Sequence, residues 1–553
     1  MTAIPRAILA IDAGAATTAV AILGRLGGRW RLVGSLVGPA PVDPDDLAST
    51  LVARVRAADP GLADAIGLDP AAIEDLPRLE AHSSPPVSLG VLAASRRAVG
   101  LLTGVAERTS WRVVPASPES HDPREMTDLA LRPEISALLV GASEPPGPDE
   151  RAAIDDIAGL VAAVLRRRPE LRVVVAGPIA SRRSWADGLG EGFAQAAERI
   201  LEAPPLGARS GPDEALREIL EGLLPGAADT RHTAMRTLVS LADVLDRRIE
   251  LIEIGFDGGL RAVAAPGVAD DGPSAEGVRS AGGALVQPEP DEAAAEEVLA
   301  WTTGSLDRHR MGDRLRDLRS RPWADASGEG ARLRLAAARA AMTRLVDVTP
   351  DLSARPAPDL TLVAGGAFAG APGGSIVLAV ADVVRRTGAT QVALDHARLL
   401  GPLGTIDDPD DRRDLVADVA DDLLSPLGSL VIAAGMPPRL RGRAATGTIT
   451  LGAADGRDGN GGGGATGTKR ELATGELAIL DLAPGTQAEA ILEFRDSARI
   501  GRRARRFSVP VSGGIAGVMV DLRDVPLRLP ERRDRRRAAL ATWGEQVWPG
   551  DDR

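Results

Sequence analysis

The first forty residues alternate short apolar runs with glycine-containing turns. The run AILAID at residues 7–12 ends in an acid just before a turn at residues 14–17. The run TAVAIL follows that turn, and RWRLVGSL follows a second turn at Gly27 and Gly28. Apolar runs joined by tight turns are typical of antiparallel strands. The pattern therefore predicts a three-stranded antiparallel meander over residues 7–38.

The next part of the chain alternates strand-like apolar runs with amphipathic helical patterns. A helix is predicted over 43–57, where acids come first and apolar residues then recur on one face. Strands that alternate with helices indicate a parallel α/β segment, which we place at about 82–180. Two β-α-β units are predicted there, with strands over 86–93, 111–116, 134–143 and 171–178 and helices over 95–109 and 149–168.

The opening pattern returns further along the chain. Residues 191–246 have a mainly helical pattern, and 248–264 then read RIELIEIGFDGGLRAVA. In both places an apolar strand with an acid near its end enters a glycine-containing turn and a second strand. Two such units roughly 240 residues apart indicate a duplicated, two-lobed architecture.

Glycine divides the carboxyl-terminal half of the chain. Residues 266–293 are rich in Pro, Gly and Asp, which predicts a loop, whereas the composition of 328–347 predicts a helix. A strand, a glycine-rich turn and a helix are predicted over 360–384. The stretch from 435 to 471 consists largely of Gly, Ala, Thr and Asp and is predicted to be a boundary or a loop. Short strands follow it, closed by a helix at 531–546.

The length of 553 residues corresponds to about three to four domains. We expect a first lobe at 1–246 that contains the α/β insertion and a second lobe at 247–434. A Gly-rich linker at 435–470 then leads to a β-rich tail domain at 471–553.

Composition excludes several kinds of chemistry. The absence of cysteine rules out disulfides, thiolate metal sites and cysteine nucleophiles. Lys469 is the only lysine, and it lacks the Gly-Lys-Ser/Thr order of a phosphate-binding P-loop. The five histidines are far apart and show no metal-ligand spacing.

Charge and hydropathy bear on partners and location. The net charge of −12 argues against general nucleic-acid binding. No run of about 18 apolar residues and no secretory signal is found, so we expect a cytoplasmic protein with no membrane partner. Residues 495–537 contain thirteen arginines against five acids, with Phe507 as the only aromatic. Because stacking on bases needs aromatics, this favours a solvated face or a docking patch for an acidic protein over nucleic acid.

Three glycine-rich stations, at 14–17, 255–259 and 365–374, resemble those of the superfamily of sugar kinases, heat-shock ATPases and actin. In that superfamily two loops hold the phosphates and their metal, and the third station flanks the adenosine. The resemblance implies an α/β, two-lobed actin-like ATPase (ribonuclease H-like) fold. More narrowly, residues 6–406 resemble the glutamate mutase L family, and the segment ALDHARLLGPLGTI of this chain, with Asp395 and Gly401, follows that family's pattern closely.

The first loop keeps part of the family pattern Asp-x-Gly-Ser-x-x-Thr-Lys. Asp12, Gly14, Thr17 and Thr18 fit it, while alanines replace the serine and the lysine. The resemblance implies that Asp12 holds the metal and takes part in catalysis, and that the other three bind nucleotide. A carboxylate in a glycine turn can hold a hydrated divalent cation, although satisfying its own turn amides is the alternative role.

The second loop departs further from the family, whose pattern is Asp-Ile-Gly-Gly-Ala-Thr-Thr-Asp. Both threonines and the final aspartate are missing, and a phenylalanine follows Gly255. We expect Glu253 to act as the opposing catalytic acid, with Asp257 as an alternative, and Gly255 to contact nucleotide. In the third station Gly365 and Gly366 are expected to permit close approach of the nucleotide.

The resemblance implies ATP with Mg as cofactor and a protein as partner. It predicts a glutamate mutase L-like chaperone or reactivating factor for an adenosylcobalamin-dependent mutase. Because the phosphate loops are degenerate, we expect ATPase activity to be weak or absent. The alternative is a non-hydrolysing actin-like scaffold or assembly protein.

Overall fold

The computed structural model describes residues 5–40, 42–83, 85–143, 146–176, 199–204, 212–224, 229–267, 272–288, 290–322, 328–436, 446–453, 469–523 and 525–548. The chain divides into two compact units. One unit comprises Met1–Ser84, Ala227–Gly277 and Gly283–Arg553, and the other comprises Pro85–Gly226 and Val278–Gly282.

Strands and helices alternate along the described chain. The strands are β1 (Ala7–Ala13), β2 (Thr17–Leu26), β3 (Arg29–Pro39), β4 (Arg78–His82), β5 (Ser88–Ala93), β6 (Arg112–Ala116), β7 (Ile135–Gly141), β8 (Arg172–Ala176), β9 (Ile200–Ala203), β10 (Ile249–Ile254), β11 (Gly259–Ala265), β12 (Ser274–Ser280), β13 (Leu360–Ala364), β14 (Gly388–Asp395), β15 (Leu424–Ile432), β16 (Gly447–Ala453), β17 (Lys469–Leu472), β18 (Leu477–Leu480), β19 (Gln487–Ile500), β20 (Arg502–Ser512) and β21 (Val518–Asp521). The helices are α1 (Pro44–Ala58), α2 (Pro60–Ile66), α3 (Arg96–Ala106), α4 (Pro123–Leu131), α5 (Pro148–Arg167), α6 (Pro212–Gly222), α7 (Thr230–Leu245), α8 (Glu292–Leu299), α9 (Arg308–Ser320), α10 (Gly328–Asp347), α11 (Pro350–Ala354), α12 (Gly373–Val383), α13 (Leu400–Leu403), α14 (Pro409–Leu423) and α15 (Arg533–Glu545).

Aspartate side chains begin several of these helices. Asp43, Asp59, Asp122, Asp229 and Asp408 each accept hydrogen bonds from amides in the first turn of the helix that follows. Such N-caps satisfy donors that have no partner inside the helix. Local sequence thus fixes where these helices start.

The first sheet has the strand order β3-β2-β1-β4. Strand β1 is antiparallel to β2 and parallel to β4. Strands β2 and β3 are also antiparallel, so the predicted meander over 7–38 is confirmed.

The second sheet repeats this order at one end. It runs β12-β11-β10-β13-β14-β15-β21-β18. Strand β10 is antiparallel to β11 and parallel to β13, as β1 is to β2 and β4. The strand-turn-strand at 248–264 is therefore confirmed, and its surroundings match those of the first unit. The mixed α/β class is confirmed, whereas the lobe boundaries at 1–246 and 247–434 stay a prediction.

One apolar cluster in the core of the larger unit brings helix α7 together with both sheets. This cluster joins Ala10 and Leu23 of the first sheet to Leu238 of α7, Leu251 of the second sheet and Val419 of α14. The outer face of the first sheet packs on α1 and α2, and that of the second on α8, α10 and α12. Both sheets are thus buried on two faces, which holds the loops at their strand ends in place.

The smaller unit contains a five-stranded sheet of order β6-β5-β7-β8-β9. Its four strand pairs are all parallel. This confirms the parallel α/β prediction for 82–180, although the compact unit is longer and runs from Pro85 to Gly226. The short strand β9 falls within 191–246, where a mainly helical pattern was expected.

The tail predicted as a separate domain at 471–553 is instead divided between two sheets. Strands β18 and β21 belong to the eight-stranded sheet, where β21 is parallel to β15. Strands β17, β16, β19 and β20 form a four-stranded sheet of their own, in that order. The separate-domain prediction is wrong because the β21 strand VMVD is buried on both faces and needs neighbours on both edges.

Two predicted loops contain strands. Strand β12 lies within 266–293, and strand β16 lies within the Gly-rich segment 435–470. Strand β16 reads GTITLGA. Its alternation of Thr and Ile is typical of a strand, but the many glycines around it made the whole segment resemble a loop. The glycine run GRDGNGGGGATGT itself lies outside the described residues. Among the described helices, none combines the length and the apolarity that a membrane span requires.

Candidate functional site

A small cavity lies between the loop that joins β1 to β2 and the loop that joins β10 to β11. Its volume is about 50 Å³. All but one of the residues expected to form the site line it, namely Asp12, Gly14, Thr17, Glu253, Gly255, Gly365 and Gly366. The exception is Thr18, which is not among the lining residues and is buried in β2 opposite Ala13.

The two loops have the same internal closure. The Gly14 amide donates to the Thr17 carbonyl at 3.0 Å, and the Gly255 amide donates to the Gly258 carbonyl at 2.9 Å. A Cβ on either first glycine would lie within 2.9 Å of the accepting oxygen. A side chain at either position would therefore force the turn open, which explains the glycine in each.

Asp12 is the last acid of β1 and faces the cavity. Its Oδ1 accepts a hydrogen bond from the Thr230 hydroxyl at 3.0 Å, which links it to the start of α7. Burial raises the pKa of the Asp12 carboxyl, and the nearby Arg398 charge partly opposes this. A buried carboxyl with a raised pKa is in an environment that would bind a cation favourably.

Glu253 occupies the equivalent place on β10. Its side chain is buried, with 7% of the residue exposed, and its Oε2 has no hydrogen-bond partner within the described part of the chain. Burial raises the pKa of Glu253 to about 8, and the Arg231 charge only partly offsets this. The carboxyl is thus mainly protonated at neutral pH.

Arg398 is a site residue that the sequence did not reveal. It follows Asp395 in the loop after β14 and adopts a φ of 53°. Its Nη1 donates to the Thr17 hydroxyl at 2.6 Å, and its Nη2 is buried without a hydrogen-bond partner among the described residues. A Cβ on Gly366 would lie 3.1 Å from Nη2. Arg398 thus spans the gap between the first loop and the third glycine station.

Asp395 holds the turn that presents Arg398. Its two carboxylate oxygens accept the amides of Leu399 and Leu400 at 3.0 and 3.1 Å. Burial raises its pKa to about 6, while these two amides act in the opposite direction. Asp395 is therefore a positioning residue, and Gly401 beside it leaves room for Ala81 and Thr230.

The third station begins with a glycine in a conformation that other residues rarely adopt. Gly365 has a φ of 96°, and a Cβ there would clash with the Ile254 carbonyl of the neighbouring strand. The next residue, Gly366, accepts a hydrogen bond at its carbonyl from Arg334 of α10 at 3.2 Å. Both glycines line the cavity, and close packing against β10 explains why Gly365 has no side chain.

Asp257, the alternative acid, is bound in an ion pair. Its Oδ1 lies 3.2 Å from Nη1 of Arg319 in α9, and the Arg319 guanidinium also stacks over the Phe256 ring at 5.5 Å. These contacts hold Phe256 and Asp257, which lie where the second loop departs from the family pattern. They give Asp257 a structural role.

The residues present fit a phosphate-bearing ligand with a divalent cation. Arginines 231, 334 and 398 line the cavity together with the carboxyls of Asp12 and Glu253. No group of three or more metal-ligating side chains occurs among the described residues. Magnesium commonly uses one or two carboxylates plus phosphate and water, so Asp12 and Glu253 would hold it only with a nucleotide's help. A nucleotide exceeds 50 Å³, so the loops must separate to admit one.

No protein-family model matches the chain, and no curated protein matches it. Among solved structures, the Aquifex aeolicus member of the Ppx/GppA family is 8% identical, with 65% of this chain and 66% of that chain covered at a TM-score of 0.16. A type II variant of the Aquifex aeolicus Ppx/GppA phosphatase is 7% identical, with 74% and 88% covered at a TM-score of 0.17. A PilM–PilN type IV pilus biogenesis complex is 12% identical, with 74% and 97% covered at 0.20. Scores this low carry no inference, so function must be argued from the chain's own geometry.

Proposed function

We propose that this chain is a nucleotide-binding actin-like protein that holds the phosphates of ATP between the loops at 14–17 and 255–258. One observation carries the proposal. Two closed turns of the same geometry, each preceded by an acid at a strand end, face one cavity that also receives the Arg398 guanidinium. The Nη2 group of Arg398 has no protein acceptor among the described residues, and a phosphate oxygen would supply one.

Binding would be accompanied by weak hydrolysis or none. A general base must be ionised at the working pH, but burial raises the pKa of Glu253 to about 8 in the site without a cation, so a bound Mg²⁺ would first have to displace its proton. Its carboxyl can still donate a hydrogen bond or, once ionised, hold a metal. The nucleotide would then act mainly as a conformational ligand that stabilises one arrangement of the two loops over another.

The partner of such a switch is a protein. Arginines 499, 502, 503, 505 and 506 are exposed along the hairpin of β19 and β20. In this proposal they form a docking face for an acidic protein surface. Exposed charges of one sign steer a complementary partner and fix its orientation.

Two roles are compatible with this site. One is that of a reactivating chaperone for an adenosylcobalamin-dependent mutase, which rests on the glutamate mutase L-like pattern around Asp395. The other is that of a non-hydrolysing scaffold, which the loss of the second-loop threonines favours. A reactivation assay with an inactivated mutase, with and without ATP, separates them, because a scaffold would restore no activity.

Nucleotide binding is tested with a fluorescent ATP analogue and Mg²⁺, measured by anisotropy on the full chain. Asp12→Asn should weaken binding at least tenfold, while Asp64→Asn, which alters an exposed ion pair with Arg56, should leave it unchanged. The rate of phosphate release from ATP should stay near that measured without protein, both for wild type and for Asp12→Asn. Equal binding by wild type and Asp12→Asn would place the nucleotide elsewhere, and rapid Asp12-dependent phosphate release would overturn the weak-hydrolysis proposal.

A further inference from the structure

A second, larger cavity lies among the helices of the carboxyl-terminal half. Its volume is about 710 Å³, within the range of about 300–1,000 Å³ that small-molecule sites occupy. It is enclosed by the loop between α8 and α9, one face of α10, one face of α12, and α15 with the residues after it. It shares no lining residue with the cavity between the two loops.

Aromatic and aliphatic side chains form part of the walls of this cavity, beside charged ones. Trp301, Trp543 and Trp548 line it, and Leu335 and Leu378 are among the aliphatic side chains beside them. The chain has only 7 tryptophans in 553 residues, so three in one cavity is a marked concentration. Flat, rigid rings of this kind bind other flat, apolar rings by stacking and edge contacts.

Two of the indoles are held by arginines. The Arg523 guanidinium lies 4.4 Å from the Trp543 ring centre, and the Arg332 guanidinium lies 5.4 Å from the Trp548 ring centre. Such cation–π contacts restrict the rings before any ligand arrives. A cavity with restricted walls loses less entropy on binding than a flexible one.

The charges around the cavity balance. Three arginines and three acids line it, namely Arg314, Arg332, Arg339, Glu329, Asp382 and Glu545. Asp382 and Arg339 form a buried ion pair at 2.6 Å, so neither is available to neutralise a charged ligand. A ligand with a net charge would therefore meet no net countercharge, and a neutral one is favoured.

Ser375 does not supply an accessible polar contact to this cavity. Its hydroxyl, in the first turn of α12, is buried with almost no accessible surface and has no hydrogen-bond partner within the described chain. A ligand in the cavity would therefore be held mainly by the aromatic and aliphatic side chains.

We propose that this cavity is a binding site for a neutral, planar aromatic small molecule, stacked among the three tryptophans. This inference does not rest on the proposed nucleotide site, with which the cavity shares no lining residue, although α10 contributes residues to both.

The test compares two probes that differ by one charged group. N-phenyl-1-naphthylamine is neutral, and 8-anilino-1-naphthalenesulfonate carries a sulfonate on a closely related ring system. Fluorescence titration of the full chain should show one saturable site for the neutral probe, with at least threefold weaker binding of the sulfonate. Tighter binding of the sulfonate, or unsaturable binding of both probes, would contradict the proposal.

Cavity-filling variants locate the probe. Ala541 on α15 lines the cavity, and Ala541→Trp should lower affinity for the neutral probe at least tenfold. Gly544→Phe should do the same, since a Cβ at Gly544 meets no atom within 4 Å. Ala538→Trp, on an exposed position of the same helix, is the matched control and should not change affinity. Unchanged affinity in both filled variants, with melting temperatures like that of wild type, would overturn the assignment.

Discussion

The Arg398 Nη1 group donates a 2.6 Å hydrogen bond to the hydroxyl of Thr17, a residue 381 positions earlier in the chain. This bond joins the turn after β14 to the first glycine loop. It places a guanidinium beside Gly366 and within the electrostatic reach of Asp12. In the proposed function this guanidinium, which links the two segments through Thr17, is the group that would meet a phosphate.

Replacing Arg398 should therefore weaken phosphate binding. Arg398→Met keeps the length of the side chain but removes the charge and the five donors, so affinity for ATP should fall at least tenfold, or about 1.4 kcal/mol. Calorimetric titration measures the change. Arg413→Met removes an arginine from a surface pair with Asp243 and is the control. An unchanged dissociation constant in Arg398→Met would show that the guanidinium does not contact the ligand.

The raised pKa of Glu253 should make stability depend on pH. The pKa moves from about 4.5 in the unfolded chain to about 8 in the folded protein, so between these values the folded state binds more protons. Stability from this group is complete below about pH 4.5 and is lost as pH rises toward 8. Glu253→Gln removes the titrating proton, so between pH 6 and 8 its free energy of unfolding should fall less steeply than that of wild type.

Urea unfolding at pH 6, 7 and 8 measures this difference, which is at most about 1.4 kcal/mol per pH unit for one proton. Glu74→Gln changes an exposed carboxyl and should keep the wild-type slope. Parallel pH profiles for wild type and Glu253→Gln would mean that Glu253 ionises normally in the folded protein.

Gly365 and Gly475, two glycines with positive φ, offer a matched comparison. Both have positive φ, 96° and 84°, but a Cβ on Gly365 would strike the Ile254 carbonyl while one on Gly475 meets open space. Gly475→Ala should cost about 1 kcal/mol from backbone strain alone. Gly365→Ala should cost about 1–3 kcal/mol more because β10 must shift. Denaturant unfolding measures the loss of unfolding free energy in each variant. Equal losses in Gly365→Ala and Gly475→Ala would mean that the close approach to Ile254 does not require a glycine at position 365.

The tail should unfold together with the sheet it joins. Met519 in β21 is fully buried between β15 and β18, so Met519→Ala should cost about 2–5 kcal/mol. Ile515, four residues earlier, is 66% exposed, and Ile515→Ala should change stability by less than about 0.5 kcal/mol. Hydrogen exchange in Met519→Ala should accelerate in β13, β14 and β15 as well as in the tail. Faster exchange confined to the tail would indicate an independent domain.

Much of the fold could be predicted because its signals are local. Alternating apolar runs and tight turns predicted the meander of β1, β2 and β3, and the repeated acid-then-glycine pattern predicted a second strand-turn-strand, which is β10 and β11. The same pattern brought Asp12 and Glu253 to one cavity, as expected. These features depend on residues close together in sequence, where periodicity and turn chemistry are informative.

The rest depends on contacts between distant segments. Arg398 is an ordinary arginine in sequence, and only the fold brings it to Thr17. Asp257 resembles a free turn acid until Arg319 of α9 pairs with it. Strand β16 lies among glycines, which weaken any strand pattern, and β21 reveals its place in the larger sheet only through its pairing with β15. Tertiary pairing of this kind leaves no periodic signal in the chain.

The most direct test of a nucleotide site between the two loops is the melting temperature of the full chain with Mg²⁺ alone and with saturating Mg-ATP. A ligand at about 100 times its dissociation constant adds about 2.7 kcal/mol to the stability of the folded state. We predict a higher melting temperature with Mg-ATP and a much smaller rise in Arg398→Met. The absence of any rise at millimolar Mg-ATP, or an equal rise in both proteins, would contradict the account.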